Sequence, residues 1–149
     1  MTRLKNTGKS SEQLFEDFYK KRWGRKVFIH RVTDSAEVNG RHKGRTKAVV
    51  KAQPSDFICT VNGEMEYAEV KSSNNKTSFP FGSISRVQLG SAKLQKMAGG
   101  NYFFYLHNKV ADMWYRVEGE TILTIQAQGK SSVKWDYLDT HNFKWELTL

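Results

Sequence analysis

At 149 residues the chain is long enough for one domain with a proper core, and its 13% aromatic content argues against disorder. A single cysteine, Cys59, excludes an intrachain disulfide, and no Cys/His cluster has zinc spacing. The net charge is +9, and it is one-sided: residues 1–53 carry 14 Lys/Arg against 5 Asp/Glu, whereas residues 54–149 carry 10 of each.

A basic lobe of this kind suits a polyanion that is gripped by phosphate contacts. The basic residues alternate with Phe, Trp, Ile and Val rather than forming a bare charge run, although a solvated basic tail gives a similar count. Residues 1–9 are polar and basic and are expected to be mobile. Ser10 or Ser11 then caps a helix, with Gln13 placed for a capping box behind Ser10. Its apolar stripe is Leu14, Phe15, Phe18, Tyr19 and Trp23. Glu12 and Glu16 share one helical face; one of them could enter a site, or both could be surface acids.

Lys26 to Val32 reads as a strand, in which His30 is treated as structural or close to a bound polyanion. Residues 33–53 form an irregular basic arm, with Gly40 and Gly44 as breakers. Arg41, Lys43, Arg45, Lys47 and Lys51 are its candidate phosphate contacts. Two strands follow, Pro54–Val61 and Glu66–Ser72, joined through Asn62-Gly63, the strongest short hairpin signal. Cys59 reads as a core residue of the first. Residues two apart on a strand share a face, so Glu69 and Lys71 project together while Val70 enters the core.

The hairpin carries Asp56 alongside that pair, so two carboxylates and an ammonium converge. Such carboxylates suit Mg²⁺, and a lysine beside a metal suits attack of water on a phosphodiester. A Glu-x-Lys strand is also what an ion-paired, exposed edge looks like.

Residues 72–82 read as a loop bearing Lys76, Thr77 and Ser78, with Lys76 a further candidate DNA contact. A helix over 83–97 places Ile84, Val87, Leu94 and Met97 on its apolar positions, with Gly90 as a weak point and Gly99-Gly100 as its end. Tyr102–Leu106 has the pattern of a strand buried on both faces. Met113–Val117 is another strand, reached through a turn around Asn108. Glu120–Gln128 reads as a short helix, and the tail from Val133 to Leu149 as strand-like aromatic packing. This order predicts a single α/β (α+β) domain with a mixed sheet flanked by helices.

Over residues 8–118 the chain resembles the PD-(D/E)xK nuclease superfamily, and within it the Holliday-junction resolvases of the RecU type. The residues that carry the resemblance are Asp56, Glu69-Val70-Lys71, the run Asn75 to Phe81, the following helix with Gln88, and Gly8 through Glu12. The motif's Pro-Asp dipeptide is here Ser55-Asp56, with Pro54 one position early. Residues 33–53 correspond to the family's stalk but do not match it in detail.

The resemblance implies a metal-dependent endonuclease that cuts four-way DNA junctions, encoded by a bacterium or a phage and acting in the cytoplasm. Asp56 and Glu69 would be metal ligands with the Val70 carbonyl, and Glu12 would be an additional acid. Lys71 would be the catalytic lysine and Gln88 a polar residue beside the site. Mg²⁺ is the implied ion, with Mn²⁺ able to replace it. Two opposed cuts in a two-fold-symmetric substrate imply a homodimer, to which Tyr102–Leu106 would contribute unless it is internal core. Two other readings stand: a flap, single-strand or restriction-type nuclease of the same superfamily, or a non-catalytic basic DNA-binding protein. The N-terminus has no apolar run of the signal-peptide kind, and no segment reads as a membrane span.

Overall fold

A five-stranded mixed sheet organises the chain, in a computed structural model that describes residues 10–32 and 52–146. Its strands are β1 (Val27–Arg31), β2 (Phe57–Val61), β3 (Glu64–Ser73), β5 (Tyr102–Asn108) and β6 (Met113–Glu118), in the order β1-β2-β3-β5-β6. A two-stranded sheet pairs β4 (Ser78–Pro80) with β7 (Ser132–Lys134). The helices are α1 (Ser11–Trp23), α2 (Arg86–Met97), α3 (Gly119–Ala127) and α4 (Trp135–Thr140).

The Asn62-Gly63 hairpin forms as its sequence dictates. Both residues take positive φ, 53° and 79°, as a type I′ turn requires. The turn sets the register, pairing Val61 with Glu64 and Phe57 with Ala68. β3 then pairs in parallel with β5, and this crossover carries α2. β3 and β5 are thus interior strands, and β1 is an edge.

The alternation of β3 splits the core in two. Ala68 and Val70 join Phe57 and Cys59 under Phe15 and Tyr19 of α1. Cys59 is fully buried, and burial pushes its thiol pKa up. On the other face, Tyr102, Phe104 and Leu106 of β5 pack under α2, α3 and α4. β5 is therefore internal core on both faces, which removes it from any partner surface.

Ser10 caps α1, its Oγ accepting from the Gln13 amide at 3.2 Å. The Gln13 side chain donates to Asp17 at 3.1 Å rather than closing a capping box. The full box appears instead at α2, between Ser85 and Gln88, so that helix starts at Arg86 after a 3₁₀ turn over Phe81–Ser83. Of its expected apolar residues Ile84 is buried ahead of the helix, but Val87, Leu94 and Met97 are exposed, and Ala92 is the buried contact. The expected loop 72–82 contains β4. The tail forms β7 and then α4, with Trp135 and Leu138 buried three residues apart, where strand-like packing was expected. Residues 1–9, the arm residues Arg41, Lys43, Arg45, Lys47 and Lys51, and the last three residues lie outside the described residues. No helix among the described residues is long and apolar enough to cross a membrane.

Candidate active site

The β2–β3 ladder stops at Phe57 and Ala68, one step short of Asp56 and Glu69. Past that point side chains replace the backbone ladder. The Asp56 amide donates to Glu69 Oε2 at 3.1 Å, and the Val70 amide donates to Asp56 Oδ2 at 2.9 Å. This reciprocal lock holds both carboxylates at the end of the hairpin. Lys71 Nζ lies 3.4 Å from Glu69 Oε1. The three residues expected to converge do so.

Gln88 joins them from α2. Its Oε1 accepts from the Ser85 amide at 2.9 Å, closing the helix cap, and its Nε2 donates to Glu69 Oε1 at 2.6 Å. One side chain therefore fixes the start of α2 and orients the glutamate.

Glu69 is only 2% exposed. Burial and the charge of Asp56 push its pKa up to about 8, against the opposing pull of Lys71. Among the described residues no three His, Cys, Asp or Glu side chains gather closely enough to hold a metal ion. Asp56 and Glu69 nevertheless fit Mg²⁺, which takes one or two carboxylates and fills its other positions with water and phosphate oxygens. The supporting observation is the geometry: two carboxyl groups held together by reciprocal backbone hydrogen bonds, with a proton on Glu69 that a divalent cation would displace.

Glu12 lies in the first turn of α1, on the opposite face of the sheet from the Glu69 side chain. Its carboxylate is 3.9 Å from Arg31, which also pairs with Glu16 at 3.2 Å. Arg31 in turn pairs with Phe57 in the sheet, and the Val32 amide donates to the Asp56 carbonyl at 2.8 Å. Glu12 is thus held at the same end of the strands as Asp56, without joining the acid pair in a metal-holding cluster.

Lys76 is exposed on a loop that its neighbours stiffen. Asn75 Oδ1 accepts from the amides of Thr77 and Ser78 at 3.0 and 3.1 Å, and Trp135 Nε1 donates to the Asn75 carbonyl at 2.8 Å. His30 is exposed and stacks on Phe28.

Several supports were not legible in the sequence. The Tyr102 hydroxyl donates to the Pro54 carbonyl and so anchors the approach to Asp56; burial and the charges of Glu69 and Asp56 raise its pKa. Ser55, buried, donates to the Phe57 carbonyl at 2.9 Å. Ser11 Oγ meets His107 Nδ1 at 2.9 Å, while His107 Nε2 meets Asp112 at 3.0 Å, tying the first turn of α1 to β5. Burial lowers the His107 pKa despite Asp112. A hydroxyl on a helix or strand carries no sequence signal for a partner so far along the chain.

Residues 18–149 match the model of the RecU family, Recombination protein U. The chain belongs to this family of Holliday-junction resolvases. The match includes Asp56, Glu69, Lys71 and Gln88 and begins after Glu12. A solved structure of Hjc, a Holliday junction resolvase from the archaeal hyperthermophile Archaeoglobus fulgidus, is similar over 73% of this chain and 77% of that one, at 13% identity and a TM-score of 0.46. None of the curated proteins matches the sequence.

Proposed function

We propose that this RecU-family chain resolves four-way DNA junctions by Mg²⁺-dependent phosphodiester hydrolysis at Asp56, Glu69 and Lys71, acting as a homodimer. The observation that carries the reading is the reciprocal Asp56–Glu69 lock with Lys71 beside it, in a chain of this family.

Asp56, Glu69 and the Val70 carbonyl would hold the ion, with Glu12 as an additional acid and Mn²⁺ as a working substitute. Bound there, Mg²⁺ supplies positive charge to the scissile phosphate and lowers the cost of deprotonating the attacking water. Lys71 orients that water and stabilises charge developing on the phosphate oxygens. Gln88 holds the Glu69 carboxylate in place. Lys76 and the basic arm (Arg41, Lys43, Arg45, Lys47 and Lys51) contact backbone phosphates, which position a substrate without reading its sequence. Two opposed strands of a two-fold-symmetric junction require two related sites, hence the dimer.

The test is an end-labelled four-way junction compared with linear duplex, flap and single strand, each with and without Mg²⁺. Paired cuts confined to the junction and dependent on the metal are expected. Preferential cutting of flaps, single strands or linear duplex would point to a different nuclease activity. Retention of the junction with no metal-dependent cleavage would leave a DNA-binding protein.

A further inference from the structure

The small sheet ends in an unpaired edge. β4 pairs with β7, and no strand lies on the far side of β7 among the described residues. The ladder fixes which groups face that way. The Phe81 amide donates to the Ser131 carbonyl at 2.9 Å and the Trp135 amide to the Thr77 carbonyl at 3.0 Å. Residues 131, 133 and 135 therefore turn their backbone groups toward β4, and the amides of Ser132 and Lys134 and the Ser132 carbonyl point outward. A strand edge in this state is a template for another chain.

Along that edge runs a groove of about 760 Å³. Residues 129–134 all border it. Only alternate residues would do so if β7 presented one face, so consecutive ones mark the edge itself. The opposite wall is α3 and its cap, where Thr121, Thr124, Ile125 and Gln128 fall at i, i+3, i+4 and i+7 on a single face. Ile125 and Val133 are buried and give the groove an apolar floor. Lys130 and Lys134 stand exposed at either end of the strand wall, and neither has a salt-bridge partner among the described residues. Glu120, the one carboxylate in the lining, is held by Lys96 at 2.9 Å.

We propose that this groove takes an extended, acidic segment of another protein, which adds to β7 as a further strand. A free strand edge facing a helix is the geometry of strand addition, in which main-chain hydrogen bonds give affinity and alternate side chains give specificity. One set of side chains would rest on the Ile125–Val133 floor and the other would meet the two lysines, which favour carboxylates. Residues 129–134 span roughly 20 Å, the usual length of a strand. A nucleic-acid backbone fits less well, because it has acceptors for the lysines but no donor for the Ser132 carbonyl. The chain's own first nine residues carry Arg3, Lys5 and Lys9 and no acid, the wrong charge for the groove. None of these groups belongs to the Asp56–Glu69–Lys71 site, so the inference stands apart from the cleavage reading.

The test uses the full chain and a set of fluorescein-labelled synthetic peptides of about eight residues, alternating glutamate with valine, isoleucine or threonine, with binding read by anisotropy. Matching peptides with lysine for glutamate and a single-stranded oligonucleotide of the same charge are the comparisons. The wild type should bind an acidic peptide at micromolar concentration and at least about tenfold more tightly than either comparison. Lys130→Glu with Lys134→Glu should weaken that binding at least about tenfold. Ser132→Pro removes an outward amide while leaving the β4–β7 hydrogen bonds, and should weaken it about tenfold at an unchanged melting temperature. Amide hydrogen exchange is the direct readout: the peptide should slow Ser132 and Lys134 and leave Val133 as it was. That pattern and the lysine variant decide the matter even where Ser132→Pro fails to fold. No binding by the wild type, equal binding of acidic and basic peptides, or binding without slowed exchange at the two amides would overturn the proposal. Tighter binding of the oligonucleotide, lost with the same lysines, would make the groove a nucleic-acid contact and overturn it as well.

Discussion

Glu66 and Glu69 sit on the same strand, both buried, and they keep opposite company. Glu66 faces α1, where Arg116 donates to it at 2.6 Å and the hydroxyls of Tyr19 and Tyr105 also donate. Arg116 lies over the Phe103 ring at 3.5 Å and donates to the Tyr105 hydroxyl at 3.0 Å. Every partner of that carboxylate is a donor, and no second acid adjoins it among those contacts. Glu69, on the other face, is locked to a second carboxylate, with Lys71 and Gln88 beside it. A satisfied buried charge holds a fold together, whereas a buried carboxyl set against a second one holds a proton that a cation can displace. Burial alone does not separate the two glutamates; the identity of the neighbours does.

The largest effect expected from breaking this contrast is on cleavage. Asp56→Asn, Glu69→Gln and Lys71→Ala should each lower the junction-cutting rate by about 10²–10⁴-fold, the range for loss of a positioned acid–base or charge-stabilising group. Junction binding should persist, since phosphate contacts carry most of the affinity. Gel-shift and single-turnover assays on the same preparations check both halves, and full activity in any two of the three variants would remove the assignment.

Next in size is the helix acid. Glu12→Gln should lower turnover by about 10–100-fold, as expected for a group supporting a metal site. Glu16 pairs with Lys20 and Arg31, and Glu16→Gln should change turnover little. The reverse ranking, read from rates at saturating Mg²⁺, would place the functional acid one turn further along α1.

Stability sharpens the contrast itself. The Glu69 pKa is raised on folding from the ordinary 4.5 to about 8. The folded protein therefore holds a proton that the unfolded chain releases, and metal-free stability falls as pH rises from about 4.5 toward about 8. Glu69→Gln should thus stabilise the metal-free protein at pH 8, by on the order of 1–3 kcal/mol. Glu66→Gln should destabilise it by about 2 kcal/mol, below the ~3–5 kcal/mol of a fully buried pair because Arg116 is partly exposed. Urea unfolding of both variants across pH 5–8 reads the opposite signs. Equal losses would mean that both glutamates are structural.

The smallest effect is on salt dependence. Replacing Arg41, Lys43 and Arg45 together with Ala should flatten the slope of log K against log salt by about two units, at ~0.7–0.9 per lost phosphate contact. Titrations of junction and linear duplex check whether the arm favours branched DNA. An unchanged slope would make it a solvated loop.

The centre of the site was legible because it is local. A two-residue turn and strict alternation fix where Asp56, Glu69 and Lys71 point, without help from the rest of the chain. The supports were not, because they are long-range: Tyr102 to Pro54, Arg116 to Glu66 and Ser11 to His107 depend on which strands become neighbours. The α2 stripe misled for another reason. Helical spacing marks Val87, Leu94 and Met97 as one face but does not say what covers it. In the tail, aromatic residues favour strands, and burial of Trp135 and Leu138 overrides that preference in α4.

The most direct measurement of the central claim is metal binding to the DNA-free protein, by Mn²⁺ titration calorimetry at pH 8 of the wild type and Glu69→Gln. A site built on the Asp56–Glu69 pair predicts binding to the wild type, release of protons as the ion displaces them from Glu69, and loss of both signals in the variant. Equal binding by the two proteins, or proton release that persists without Glu69, would contradict it.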